Sequence, residues 1–141
     1  MRAARVLLLG LVPLVALSCG SVAPVKVTAG DQCFRCRRTI VDTRVAGEMI
    51  DAGWVTKYRG PGCLAKYLVA HSDETGTIFV TDFATGRMVS PTKAMYVPVV
   101  LDPRTGESDY RAYGLKTDAE AAAHETNTAA VDWNTILDKA R

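Results

Sequence analysis

The chain has 141 residues, 48% hydrophobic and 23% charged, which is a one-domain length with an ordinary globular composition. Its formal charge of +2 comes from the N-terminus: without Arg2 and Arg5 the 17 basic residues become 15 and match the 15 acidic ones. A neutral domain with no basic tract argues against nucleic acid as a partner. The lack of any internal repeat or long apolar span excludes solenoid, collagen, coiled coil and integral membrane protein.

Arg2 and Arg5 precede an apolar run over residues 6–17, which ends in Ser18-Cys19-Gly20. A bilayer span needs about 20 apolar residues, so the run is too short to be one. Its charged start, apolar middle and small-residue end mark residues 1–18 as a secretory signal. Val15-Ala16-Leu17-Ser18-Cys19 resembles a lipobox, with Ala16 where leucine is usual. That resemblance implies cleavage before Cys19 and acylation of its thiol and amine with palmitate-type chains. The chain is then anchored in the bacterial cell envelope, facing the periplasm or exterior. The alternative is an ordinary signal cut near Ser18 with a spare thiol. Each buried methylene of such a chain contributes roughly 0.8 kcal/mol of membrane affinity. Residues 19–30 read as a lipid-anchored tether and residues 31–141 as the domain.

A polar loop carrying two cysteines, residues 31–40, comes first. Strands are expected over residues 45–50 and Trp54–Tyr58, joined by Asp51-Ala52-Gly53 as a hairpin turn. Gly60-Pro61-Gly62 breaks the chain. Leu64, Tyr67 and Leu68 then recur at helical spacing from Pro61 to about His71. A second passage repeats the same order. Strands at Thr77–Thr81 and residues 87–89 flank the turn-like Asp82-Phe83-Ala84-Thr85-Gly86. A long strand over residues 94–101 holds Pro98, which calls for an edge or a bulge. Residues 110–113 are placed beside it. Thr117-Asp118-Ala119-Glu120 has the form of a capping box opening an alanine-rich helix that ends near Glu125. Residues 130–133 suggest a short strand before a last helical turn capped by Asp132. The class is α+β: two ββα-type units with small antiparallel sheets and short helices.

No serine–histidine–acid cluster and no phosphate-cradling glycine loop is visible, and acids such as Asp118 and Glu120 are explained by a helix start. The chemistry therefore rests on sulfur, and the chain is read as a non-enzyme. Cys33, Cys36 and Cys63 lie in the domain, and three readings compete. A Cys33–Cys36 disulfide suits an exported protein, but it closes too small a loop to add much stability and leaves Cys63 over. A thioredoxin-like pair needs a buried strand before the motif and a long helix after it, and neither flank qualifies. A soft-metal site suits copper(I), which is content with two or three sulfurs. Zinc usually takes four ligands and could use the three cysteines with His71. Arg35, Arg37 and Arg38 would lower the thiol pKa values. Cys36-Arg37 lacks the histidine of a covalent haem motif.

The order C-x-x-C, hairpin, then a cysteine opening a helix (Gly62-Cys63-Leu64-Ala65-Lys66-Tyr67-Leu68) resembles the NosL-type copper chaperones. So do Val80-Thr81-Asp82-Phe83-Ala84-Thr85-Gly86-Arg87-Met88-Val89, Ala94-Met95-Tyr96-Val97 and the ending at Val131-Asp132-Trp133. The likeness runs from about Asp31 to Leu137. It implies a lipid-anchored protein that binds copper(I) through cysteine and methionine sulfur. It also implies delivery of that copper to an apo-cuproenzyme or copper-handling protein of the nitrous oxide reductase maturation type. The family usually continues from its second cysteine as Gly-Met, where this chain has Arg37 and Arg38. A methionine is also common where Gly114-Leu115-Lys116 stands. Among the remaining methionines, Met49 and Met95 fall inside strands as packing residues, and Met88, just after a turn, is the candidate thioether ligand.

Overall fold

The structure, a computed structural model, describes residues 20–141. The secretory signal and Cys19 lie outside the described residues. β1 (Gly47–Asp51) and β2 (Trp54–Tyr58) form the first hairpin. Asp51 pairs with Trp54, and the two turn residues Ala52 and Gly53 both have positive φ, at 46° and 85°. That is the conformation whose twist matches two antiparallel strands. α1 (Pro61–Ala70) starts at Pro61, whose fixed φ and missing N–H suit a first helical position.

β3 (Thr77–Thr81) returns antiparallel to β1, and β4 (Met88–Val89) pairs with β3, so the first sheet has the order β2-β1-β3-β4. β5 (Met95–Asp102) and β6 (Glu107–Tyr113) make a separate antiparallel pair, followed by α2 (Lys116–Glu125) and α3 (Trp133–Ala140). Each unit is thus a hairpin followed by a helix, β1-β2-α1 and β5-β6-α2, and the class is α+β. The β3–β4 pair extends the first sheet instead of fronting the second helix. Pro98 faces Tyr110 in a sheet of two edge strands, where a missing N–H is tolerated, and a register shift occurs between Val100 and Asp102.

Three local expectations need correcting. Leu115, not Thr117, is the N-cap residue of α2, and no side chain caps that helix, so the capping box does not form. Glu120 instead approaches Lys116 at 3.5 Å. The strand expected over residues 130–133 is a single bridge in which Val131 and Tyr96 exchange two backbone hydrogen bonds of 2.8 Å. Asp132 does cap α3, its carboxylate accepting from the Thr135 N–H at 2.8 Å. The region read as a tether joins the fold early: Val27 is buried in the core, and the Val25 N–H donates to Glu48 at 2.7 Å.

The main core gathers Ile40, Tyr58, Leu64, Val80, Tyr96 and Ile136 between the first sheet, α1 and α3. A smaller cluster seats Ala119 and Ala123, one turn apart on α2, against Val97 and Tyr113 of the second hairpin. Among the described residues, no helix is long and apolar enough to cross a membrane.

Candidate metal centre

The C-x-x-C segment is a tight knuckle. Its arms are bridged at Gln32 and Thr39. The Cys33 N–H donates to the Arg38 carbonyl and the Arg37 N–H to the Cys33 carbonyl, both at 2.9 Å. Arg37 turns the chain with φ 61°, in the left-handed region. Ile40, fully buried, anchors one arm. The Phe34 N–H reaches the Lys57 carbonyl on β2 at 2.7 Å, and Lys57 pairs with Asp31 at the same distance. The pair of cysteines therefore sits on a turn nailed to a sheet edge, which is not the helix start that a thioredoxin-like site requires.

Cys63 arrives from the other side, as the third residue of α1. The N–H groups of a first helical turn have no partner within the helix, and here a residue of the second unit supplies one. Asp109 of β6 is buried and accepts from the Gly62 N–H at 2.7 Å, with the Cys63 N–H also directed at it. The approach is so close that a Cβ on Gly60 would stand 2.4 Å from the Asp109 carboxylate. Glycine is required there for proximity.

These two placements bring the three sulfurs together. All lie within 4.8 Å of one another, and Cys33 and Cys63 are 3.4 Å apart. None is in a disulfide. Cys33 is fully buried, Cys63 nearly so, and Cys36 half-buried. Cys63, remote in sequence, thus belongs with the C-x-x-C pair.

The cluster is polarised. The Cys63 S–H directed at Cys33, helped by the backbone N–H groups of Cys36 and Arg59, favours a thiolate at Cys33 despite its burial. Cys63 holds the shared proton: donation to Cys33, burial and the nearby sulfur charges all push its pKa up. Its place at a helix N-terminus works the other way and keeps a second thiolate within reach once a cation displaces the proton. Close by, Glu107 accepts from both terminal nitrogens of Arg59, and Arg38 joins the same carboxylate. The pairing holds the Glu107 carboxyl below the usual range, and the guanidinium is fixed beside the sulfurs.

Cys36 and Cys63 line a cleft of about 240 Å3 between the knuckle, α1, the second hairpin and α3. His71 lies outside the centre. It is eight residues beyond Cys63, roughly 12 Å along a helix axis. It stacks on Tyr67 at 4.2 Å, with Nδ1 against the Tyr67 carbonyl at 2.9 Å. Met88 is not brought to the cysteines either. It stands on β4, three strands from β2 or roughly 14 Å across the sheet, and its sulfur accepts from the Thr81 hydroxyl at 3.1 Å. Met49 is core and Met95 packs on the smaller cluster, as strand methionines should. Asp109, Glu107 and Arg59 were not legible as site residues. Nothing in Glu107-Ser108-Asp109 marks it as facing a helix start some 47 residues earlier.

The fold and the three-sulfur centre together define a class of architecture: two ββα units with a thiol cluster on the first. No protein-family model matches the chain, and no curated protein matches it. Among solved structures, the copper chaperone NosL from Shewanella denitrificans shares the fold, with a TM-score of 0.60. The match covers 79% of this chain and 96% of that one at 17% sequence identity. The chain therefore has a divergent NosL-like fold.

Proposed function

We propose that the chain is an envelope lipoprotein that binds copper(I) through Cys33, Cys36 and Cys63 and passes it to an acceptor protein. The observation that carries this reading is three free thiols within 4.8 Å of one another, with no fourth histidine, cysteine or carboxylate grouped with them among the described residues. Thiolates select soft cations, and three sulfurs satisfy copper(I), whereas structural zinc almost always takes four protein ligands. The fold shared with a copper chaperone supports the same choice. A half-buried Cys36 beside an open cleft suits a site that must release its cargo.

Anchoring through acylated Cys19 and an acceptor of the nitrous oxide reductase maturation type are parts of this proposal that rest on the sequence. A non-enzymatic carrier needs no catalytic constellation, only ligand exchange. Anaerobic titration of the reduced protein with copper(I) is expected to show about one tight equivalent. The combined Cys33→Ala and Cys36→Ala substitutions should abolish it. Weak binding indifferent to both changes would end the proposal, and a tighter zinc complex would replace it with the zinc reading. For the anchor, Cys19→Ala should move the protein from the membrane to the soluble envelope fraction.

A further inference from the structure

The mature domain is charge-neutral, yet its cations crowd one place. Arg35, Arg59, Lys66 and Lys139 line the cleft onto which Cys36 and Cys63 open, and Arg38 reaches its edge through Glu107. The acids there are already engaged. Glu107 holds Arg59 and Arg38, and Asp109 holds the start of α1. Arg35, Lys66 and Lys139 are exposed and have no ion-pair partner among the described residues. They come from three separate elements, the knuckle, α1 and α3, so their convergence is a property of the fold and not of one run in the sequence.

A cuprous ion in three thiolates carries two net negative charges, fewer than the three unpaired cations around the mouth. The three unpaired cations also approach the cleft from three separate parts of the fold, the knuckle, α1 and α3. An occupant held by the whole rim must therefore be larger than a single small anion, while the cleft itself admits only a side chain or two.

On the basis of the copper reading, we propose that this rim is the docking surface for an acidic peptide segment of the acceptor. That segment places its own thiol or thioether into the cleft beside Cys36. Transfer then proceeds by associative exchange. The incoming sulfur bonds to copper(I) while Cys36, the most exposed of the three, leaves first. Copper stays in the +1 state throughout, and a proton released by an incoming thiol is taken up by a departing thiolate.

The test uses the full chain loaded with copper(I) and two synthetic peptides. They share one cysteine-containing core, flanked by glutamates in one and by lysines in the other. The acidic peptide should accept copper at least about tenfold faster at low salt, an advantage that collapses at high ionic strength. Lys66→Glu combined with Lys139→Glu should keep the copper stoichiometry and erase the preference. Equal rates with the two peptides, or a preference that survives the double charge reversal, would overturn the docking surface. Faster uptake by free glutathione than by either peptide would overturn it too, in favour of a small anionic thiol. Loss of copper binding in the unmutated protein would instead defeat the copper reading, and that result appears before any peptide is added.

Discussion

The two ββα units meet each other in matching ways but carry different chemistry. Asp109, on the second hairpin, closes on the backbone at Gly62, just inside α1. Asp82, at the end of β3, accepts from the Gly114 N–H at 3.2 Å, just ahead of α2. Both carboxylates are buried, but the fit is tighter at Asp109: a Cβ on Gly62 would stand 3.0 Å from it, whereas one on Gly114 would meet Asp82 at an ordinary 3.4 Å. The units differ in the residues beyond that glycine. In the first unit the clamped turn leads straight to Cys63, which faces the knuckle thiols. In the second it leads to Leu115-Lys116-Thr117, with no sulfur and no side-chain cap. One structural device therefore serves twice, as a joint between units and, once only, as the mount for a metal ligand.

The two units should differ most at the sulfurs. Cys33→Ala or Cys63→Ala removes a ligand outright. Copper(I) affinity, measured by competition with a chromophoric chelator, should fall by more than the roughly 10–100-fold typical of losing an outer partner. Unchanged affinity for Cys63→Ala would confine the site to the knuckle. The paired aspartates come next. Asp109→Ala and Asp82→Ala should each lower stability by about 1–2 kcal/mol in denaturant unfolding. Only Asp109→Ala should also weaken copper binding, because it alone releases the turn that holds Cys63. Equal loss of affinity in both would mean that the metal senses global stability and not this joint.

Smaller effects sharpen the boundary of the site. Met88→Leu and His71→Ala should leave copper stoichiometry and affinity unchanged, with Met88→Leu costing less than about 1.5 kcal/mol. The smallest effect concerns Glu48, fully buried on β1 with one oxygen unpartnered. Burial raises its pKa in the folded state. A carboxyl raised in this way weakens the fold as pH climbs from its unfolded value through the folded one, and contributes no such penalty below both. Glu48→Gln should thus melt close to the unmodified protein in acid and a few degrees above it at neutral pH. A lead that grows towards acid would reverse that assignment.

The sequence was most informative where local chemistry decides structure. The turn at Ala52-Gly53, the start of α1 at Pro61 and the cap at Asp132 were readable because each depends on a few adjacent residues. The sulfur inventory was readable for the same reason, since soft donors are scarce in this chain. Long-range features were hidden. Thr117 looked like a cap, but packing of Ala119 and Ala123 on the second hairpin sets where α2 begins. Met88 comes just after a turn, a position open to a ligand, yet strand order carries it to the far edge of the sheet. His71 follows Cys63 at the far end of the same helix, too far along it to reach the sulfurs. Asp109 gave no signal at all, because its role exists only once β6 lies against α1. The meeting of Cys63 with Cys33 and Cys36 belongs with these cases: the residues were evident, and their adjacency is a property of the tertiary fold.

The most direct measurement is X-ray absorption at the copper edge on the anaerobically loaded, full-length protein. A three-thiolate site predicts a first shell of sulfur alone, with close to three scatterers, dropping to two in Cys63→Ala. A shell containing nitrogen or oxygen, or a sulfur count that does not change in that variant, would contradict the assembly of Cys33, Cys36 and Cys63 into one centre.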